Sequence, residues 1–332
     1  MEPQLKQLGN SSLRVSPVAI GCWQFAGGKQ WGDQDERDSQ ASVTEALDQG
    51  INFFDTAPMY GNGSSEEVLG RALKGRRDQA VIATKVNASD LARIDLKTSC
   101  EASLKRLNTD VIDLLQVHWG NPDIPLEDTV AGFEDLVEAG KIRAYGVCNF
   151  AVAGMRAAEA AGARLATQQL PYSLLWRAIE FEIVDECDRQ GVSVLPYSPL
   201  LQGLLAGKFR SVEEIPSPRK RTRHFSSAHP DTVHGEAGQE EETFAAVQRI
   251  EGICRELGQP MAQVAIAWLL RQRRVASVIA GARTPGQVRD NAAAGRLRIP
   301  DEVESALSEA TIPLRDALGS NPDMWQTPSR FV

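Results

Sequence analysis

The 332-residue sequence predicts an α/β fold, a single (β/α)8 TIM barrel that spans residues 1–332. Eight short apolar runs follow one another along the chain, and segments with helical periodicity separate them, which is the alternation that such a barrel requires. The turn after the first run, at 21–28, lacks the G-x-G-x-x-G spacing of a doubly wound sheet that binds dinucleotides. The chain is also long enough to form one large barrel.

Each predicted strand is a short apolar run, and each predicted helix is longer and amphipathic. Gly50 and Gly140 follow the first and fourth helices, a position typical of helix C-caps. The predicted strands cover 18–21, 52–54, 80–84, 112–117, 144–147, 166–169, 192–195 and 277–280. The predicted helices cover 39–49, 65–73, 95–107, 126–138, 152–161, 181–190, 241–257, 261–271 and 286–294.

Two segments depart from this alternation. Residues 6–14 contain Gly9-Asn10 and are typical of a β-hairpin, which can close the bottom of a barrel. Residues 209–240 follow the seventh strand and are rich in Ser, Pro, His and charge. Loops of this length are usually functional, so we expect a lid over the rim formed by the carboxyl ends of the strands. Within this loop, the basic run 219–224 is expected to be solvated.

The composition excludes several classes of function. The formal net charge is −8, which argues against general binding of nucleic acids or membrane surfaces. No apolar stretch has the length of a membrane span, and the first residues lack a secretory signal. The five cysteines include no C-x-x-C pair, so we expect reduced thiols in a cytoplasmic protein. No metal site is expected, because His224, His229 and His234 fall in the long loop and are interpreted as part of a polar lid.

Four polar residues, Asp55, Tyr60, Lys85 and His118, fall at or just past the ends of three predicted strands. In a parallel barrel these ends share one rim, which is where such folds do chemistry. A tyrosine phenol has a pKa of about 10, and a neighbouring ammonium lowers that pKa. Lys85 can supply the charge, Asp55 can hold Lys85, and His118 can orient a substrate carbonyl. Each residue alone is ordinary, but together they predict a general acid for carbonyl reduction.

The same segments resemble the aldo-keto reductase family, and the similarity runs in order through essentially the whole chain. The motifs that carry it are DTAPMYG (55–61), SEEVLG (65–70), ATK (83–85), DLLQVHW (113–119), GKIRAYGVCNF (140–150), YSPL (197–200) and GART (281–284). The resemblance implies a barrel that binds NAD(P)(H) and passes hydride between the nicotinamide and a carbonyl carbon. It implies Tyr60 as the residue that transfers the proton.

The resemblance also implies a set of cofactor-binding residues. Asn149 and Gln169 correspond to the side chains that hold the nicotinamide carboxamide, although Gln168 competes with Gln169 because the strand register decides which points inward. Tyr197 corresponds to the aromatic residue that stacks on the nicotinamide ring. Arg283 can take a 2′-phosphate, which favours NADP(H) and leaves NAD(H) open. The full set is Trp23, Asp55, Cys148, Asn149, Gln169, Tyr197, Ser198, Pro199, Leu200, Gln202, Gly203, Lys208, Gly281, Arg283, Gln287 and Asn291.

The expected substrate is a small carbonyl compound, such as a sugar or a short-chain aldehyde, bound by Tyr60, His118, Trp23 and Trp119. We expect reduction to the alcohol or the reverse reaction. The stretch 321–326 is expected to fold back over the rim. A second interpretation is a cofactor-binding redox-sensing or channel-regulatory protein of the same fold. The sequence leaves the physiological substrate, the reaction direction and the oligomeric state open.

Overall fold

The computed structural model describes residues 4–28 and 31–332. Its strands are β1 (Lys6–Gln7), β2 (Arg14–Val15), β3 (Val18–Gly21), β4 (Phe53–Asp55), β5 (Val81–Val86), β6 (Ile112–Val117), β7 (Ile142–Cys148), β8 (Thr167–Pro171), β9 (Ser193–Tyr197) and β10 (Val278–Gly281). From β3 to β9 each strand pairs in parallel with the next along the chain, and β10 pairs with β3. Hydrogen bonds from Val194 N to Arg274 O (2.8 Å) and from Ala276 N to Val194 O (3.2 Å) close the barrel. The predicted (β/α)8 barrel is confirmed.

Helices follow the strands and cover the outside of the barrel. They are α1 (Glu36–Asp48), α2 (Ser64–Ala72), α3 (Arg93–Leu107), α4 (Leu126–Glu138), α5 (Val152–Ala160), α6 (Ile183–Gln190), α7 (Glu240–Leu257), α8 (Met261–Arg271), α9 (Pro285–Arg296), α10 (Asp301–Ala310) and α11 (Ile312–Leu318). Helix α1 begins three residues before its predicted start, because Asp35 caps it by accepting a hydrogen bond from Arg37 N (2.8 Å). The last two helices were not predicted. Within the described residues, no helix is long and apolar enough to cross a membrane.

The N-terminal hairpin closes the bottom of the barrel, as the sequence predicts. Leu8, Leu13 and Val15 are buried and belong to one apolar cluster with inward-facing strand residues such as Phe53. The turn lies directly against β8, since a Cβ atom on Gly9 would come within 2.3 Å of a backbone oxygen. The opposite end of the barrel, where the strands have their carboxyl ends, is therefore the only end that remains for a site.

Part of the loop after β9 is buried, although the sequence predicts a solvated basic run at 219–224. Thr222, Arg223 and His224 are buried, and His234 is also buried. Arg223 donates to Glu236 Oε1 (2.8 Å) and to two backbone oxygens near the end of the chain, and His224 Nε2 donates to Leu175 O (2.8 Å). The solvation expected for 219–224 is therefore wrong at 222–224. Thr222, Arg223 and His224 can be buried because each of them has hydrogen-bond partners within the protein.

We expect the buried His224 to make the protein less stable in acid. Burial lowers the pKa of His224 from 6.5 to about 4, so between these values the unfolded chain binds a proton that the folded chain does not. His224 therefore leaves the free energy of unfolding unchanged above pH 6.5 and lowers it by about 3 kcal/mol by pH 4. Denaturant unfolding at about pH 7.5 and about pH 4.5 compares the wild type with His224→Gln, which should lose less stability on acidification. An equal loss in both proteins would contradict a buried neutral imidazole.

Candidate active site

The barrel brings the four predicted rim residues together. Asp55 is the last residue of β4, Lys85 lies near the end of β5, and His118 directly follows β6. Tyr60 lies in the turn between β4 and α2. Because these strands are neighbours in one parallel sheet, their carboxyl ends lie side by side on the same rim.

A buried ion pair lies at the centre of this site. Lys85 Nζ lies 2.9 Å from Asp55 Oδ2 and 3.1 Å from Asp55 Oδ1, and it also donates to Thr56 O (2.8 Å). Both side chains are almost completely shielded from solvent. Burial is the largest single influence on the pKa of Lys85 and lowers it, but the Asp55 charge, together with the smaller raising influences of Tyr60 and Cys148, outweighs burial and holds that pKa above its usual range. Lys85 is therefore a fixed ammonium inside the barrel.

Tyr60 lies within reach of this ammonium. The distance from Lys85 Nζ to the Tyr60 hydroxyl oxygen is 3.3 Å, and Nζ lies 4.9 Å from the centre of the Tyr60 ring. Burial raises the pKa of Tyr60 to about 12, and the Lys85 charge acts in the opposite direction as the next largest influence. The expected acidifying effect of Lys85 is present, but burial outweighs it in the protein alone. Tyr60 is therefore protonated at neutral pH.

His118 is a neutral imidazole at the same place. Its ring meets the Tyr60 ring edge-on at 5.9 Å between centroids, and its Nδ1 atom is buried without a hydrogen-bond partner among the described residues. Burial, followed by the nearby Lys85 charge, lowers the pKa of His118 well below its usual 6.5. A neutral imidazole with an unused ring nitrogen beside a protonated phenol can hold a carbonyl oxygen between two uncharged donors.

Three of the predicted cofactor residues form a hydrogen-bond network with the rim residues Asp55 and His118. Gln169 Nε2 donates to Asp55 Oδ1 (2.8 Å), and Asn149 Nδ2 donates to His118 O (3.1 Å). The Tyr197 hydroxyl donates to Asn149 Oδ1 (3.0 Å). Gln168 points the other way and donates to the backbone of the β7–α5 turn. Strand alternation thus resolves the open question in favour of Gln169 as the residue that faces the site.

The segment after β9 has an unusual run of positive backbone φ angles. Ser198, Leu201 and Gln202 have positive φ angles of 54°, 38° and 55°, and Gly203 has 107°. Such conformations are costly for residues other than glycine and are concentrated at ligand-binding segments. Turns of this kind direct backbone N–H groups into concavities that bind anions. Pro199 and Leu200 lie within the segment, and the exposed Lys208 follows it, so this part of the chain fits a pyrophosphate.

The predicted adenosine-binding residues surround the start of α9. Gln287 Oε1 accepts from Arg283 N (2.8 Å), and Asn291 Nδ2 donates to Gly281 O (3.3 Å). The Arg283 guanidinium donates to Trp31 O (2.7 Å) and to Gln34 Oε1 (2.7 Å) and also contacts Asp33 O. Arg283 therefore fastens the turn after β3 to this end of the site.

Sequence reasoning missed this turn because no local signal connects two segments so far apart in the chain. Gln24 was also missed. A Cβ atom on Gly281 would come within 2.1 Å of the Gln24 amide, and Gln24 Oε1 is buried with no partner among the described residues. A polar atom left unsatisfied in this way indicates a place where a polar ligand group can bind.

Aromatic residues line the entrance to Tyr60 and His118. The Trp23 ring stacks on Tyr60 at 5.6 Å between centroids with a 20° interplanar angle. Trp119 directly follows His118, and its ring meets Phe331 at 5.8 Å. Val332 lies against this rim, since Ala151 N donates to Val332 O (2.7 Å). Trp23 thus lies next to Tyr60, whereas the Trp119 ring packs against the tail.

The cysteines and histidines of the chain do not build a metal site. In the described ranges, no group of three or more His, Cys, Asp or Glu side chains is arranged to hold a metal ion. Cys148, which stands next to Asn149, is buried, and burial raises the pKa of its thiol. This thiol is therefore protonated, and it can only be a weak hydrogen-bond donor beside the carboxamide position.

Comparison with known proteins now decides the family. A model described as "Aldo/keto reductase family" matches residues 17–312. The chain belongs to the aldo/keto reductase family. An aldo-keto reductase of Bacillus subtilis, YhdN, is 35% identical over 292 residues that cover 85% of each protein. The NADH-specific methylglyoxal reductase of Escherichia coli is 31% identical, covering 91% of this chain and 96% of that protein.

Solved structures are similar to this aldo-keto reductase over nearly its whole length. An aldo-keto reductase from Klebsiella pneumoniae in complex with NADPH has a TM-score of 0.73 at 29% identity, covering 94% of this chain and 96% of that one. A glycerol dehydrogenase from Gluconobacter oxydans has a TM-score of 0.81 at 31% identity, and the match covers 93% of this chain and 96% of that one. The barrel with an N-terminal hairpin is therefore the fold of the family.

We expect Asp55→Asn to destabilise this aldo-keto reductase by about 3 kcal/mol, because it leaves the Lys85 ammonium buried without a counter-charge. Asp35→Asn is the matched control. It removes an exposed pair with Arg37, keeps a residue that caps α1 equally well, and should destabilise the protein far less. Denaturant unfolding of the three proteins gives both differences. Equal losses in the two variants would contradict the central position of the buried pair.

Proposed function

We propose that this enzyme reduces an aldehyde or ketone, such as a sugar or a short-chain aldehyde, to the alcohol, or catalyses the reverse reaction. The observation that carries the proposal is the position of Lys85 Nζ, which lies 2.9 Å from Asp55 Oδ2 and 3.3 Å from the Tyr60 oxygen. This arrangement supplies a phenol with a cation that stabilises its conjugate base. Membership of the family supports the same reaction class.

In the proposed reaction the nicotinamide cofactor, when bound, supplies the hydride that reaches the carbonyl carbon. The Tyr60 hydroxyl gives its proton to the carbonyl oxygen as negative charge develops there, and solvent water later reprotonates the phenolate. Lys85 stabilises the phenolate, and Asp55 keeps Lys85 in place. A phenol with a pKa of about 12 suffices, because the alkoxide formed by hydride addition is a much stronger base than a phenolate.

His118 orients the substrate rather than carrying charge. Because its pKa lies well below 6.5, it stays neutral at physiological pH and can donate one hydrogen bond to the carbonyl oxygen. Trp23 and Trp119 then form the walls against which the rest of a small substrate packs. The pairing of a neutral imidazole with a protonated phenol avoids a second positive charge beside Lys85.

We assign the cofactor to the surface that runs from Asn149 to the start of α9. Asn149 and Gln169 hold the carboxamide, Tyr197 stacks on the nicotinamide, and the segment 198–203 with Lys208 takes the pyrophosphate. Arg283, Gln287 and Asn291 face the adenosine end, with Trp23, Asp55, Cys148 and Gly281 adjoining the cofactor. NADP(H) is preferred because an arginine suits a 2′-phosphate, and the similarity to a protein solved with NADPH supports this. The relative named as NADH-specific supports NAD(H) as a second cofactor.

We expect Tyr60→Phe to lower kcat for NADPH-dependent aldehyde reduction by about 10²- to 10⁴-fold, while NADPH binding is kept, because only the proton donor is lost. Tyr145→Phe is the control, since the Tyr145 hydroxyl bonds Glu134 outside the site. Absorbance loss of NADPH measures turnover, and fluorescence titration measures binding. Unchanged activity in Tyr60→Phe would contradict the mechanism. Tight NADPH binding without turnover of any aldehyde would support the redox-sensing or channel-regulatory interpretation instead.

We expect Arg283→Ala to weaken NADPH binding more than NADH binding, by about tenfold, because one charged contact to the 2′-phosphate is lost. Arg289→Ala removes an exposed arginine of α9 that pairs with Glu45, and it should leave the ratio of the two affinities as it is. Titration of each protein with both cofactors gives the ratios. An unchanged ratio in Arg283→Ala would show that the 2′-phosphate binds elsewhere.

A further inference from the structure

We propose that the substrate of this enzyme carries a carboxylate in addition to its carbonyl group, and that Arg330 binds that carboxylate. The inference rests on the proposed reductase function and names the substrate class of the same site. It begins with the tail segment 323–332, which folds back over the rim where Tyr60 and His118 lie.

Arg330 lies against Trp119, the residue that we propose as one wall of the substrate site. Its guanidinium carbon is 4.0 Å from the centre of the Trp119 ring, and Trp119 directly follows His118. An arginine stacked on an aromatic face at this distance keeps its N–H groups directed outward in the plane of the guanidinium. The cation is therefore fixed against the residue that directly follows His118 in the chain.

Asp323 holds this arginine in one orientation. Arg330 Nε donates to Asp323 Oδ2 (2.8 Å), Nη2 donates to Oδ1 (2.9 Å), and the backbone N donates to Oδ2 (3.2 Å). Asp323 is completely buried and also accepts from Trp325 N (3.0 Å), whereas the Arg330 side chain is 39% exposed. An arginine fixed beforehand loses little conformational freedom when it binds a ligand.

One edge of the guanidinium remains for a ligand. The bidentate pair with Asp323 uses Nε and Nη2, and Nη1 has no hydrogen bond among the described contacts. The N–H groups on that edge match one carboxylate. Since Asp323 already offsets part of the positive charge, the expected gain is modest and suits a single carboxylate better than a phosphate dianion.

The test compares an anionic aldehyde with a neutral one of the same shape, 4-formylbenzoate and its methyl ester. We expect the wild type to favour the acid in kcat/KM by about tenfold, mainly through KM, and Arg330→Gln to lose that preference. The double variant Asp323→Asn/Arg330→Gln leaves no buried carboxylate unpaired and should lose it equally. Arg315→Gln is the matched control, because Arg315 also lies over an aromatic ring, that of Phe181, and pairs with Asp316. In this variant the ratio of kcat/KM for the acid to kcat/KM for the ester should stay at the wild-type value.

A binding measurement keeps this proposal separate from the proposed reaction. Titration of the NADPH complex with the product-like 4-(hydroxymethyl)benzoate, followed by tryptophan fluorescence, should give a Kd about tenfold higher in the double variant than in the wild type. If no aldehyde is turned over but this difference is found, the reductase function fails and the carboxylate site stands. Three results would overturn the carboxylate site. They are equal kcat/KM values for the two aldehydes in the wild type, an acid preference that is unchanged by loss of Arg330, and a Kd that is unchanged in the double variant.

Discussion

The pair of Lys85 and Asp55 is the interaction on which the rest of the site depends. An ammonium inside a barrel is tolerated only if a counter-charge and further hydrogen bonds satisfy it, and here Asp55, together with Thr56 O, does so. The pair in turn depends on the register of β4 and β5, which sets the two side chains on the same rim. Tyr60, His118 and Gln169 then take their places around a charge that does not move.

Burial and charge act against each other on each reacting group, and their balance fixes the protonation states. Burial keeps the Tyr60 phenol protonated, while the Lys85 charge limits how far its pKa rises. The same burial, with the same charge, keeps His118 neutral. Two uncharged donors and one fixed cation result, an arrangement that suits an oxygen which is neutral in the substrate and becomes negative during hydride transfer.

Much of the barrel could be predicted from the sequence, because its strands and helices are locally encoded. The β6 strand and the helices α4 and α8 have the predicted bounds, since apolar periodicity and flanking glycine or proline define them without help from distant residues. The positions of the four rim residues at the ends of predicted strands likewise predict that these residues lie together. The choice between Gln168 and Gln169 needed the strand register, which only the closed sheet supplies.

The mistaken expectations concern contacts between segments distant in sequence. Composition alone predicts that a run such as 219–224 is solvated, but His224 and Arg223 are buried because partners from other elements satisfy them. The contacts of Arg283 with the turn after β3, and the fixation of Arg330 by Asp323, are equally invisible in local patterns.

The central claim, that Lys85 acts through Tyr60, is tested most directly by a cycle of kcat values for Tyr60→Phe, for Asp55→Asn/Lys85→Met, and for the combined variant. We expect the combined variant to have a kcat no lower than that of Tyr60→Phe alone. Reductions in kcat that multiply in the combined variant would contradict a role of Lys85 through Tyr60.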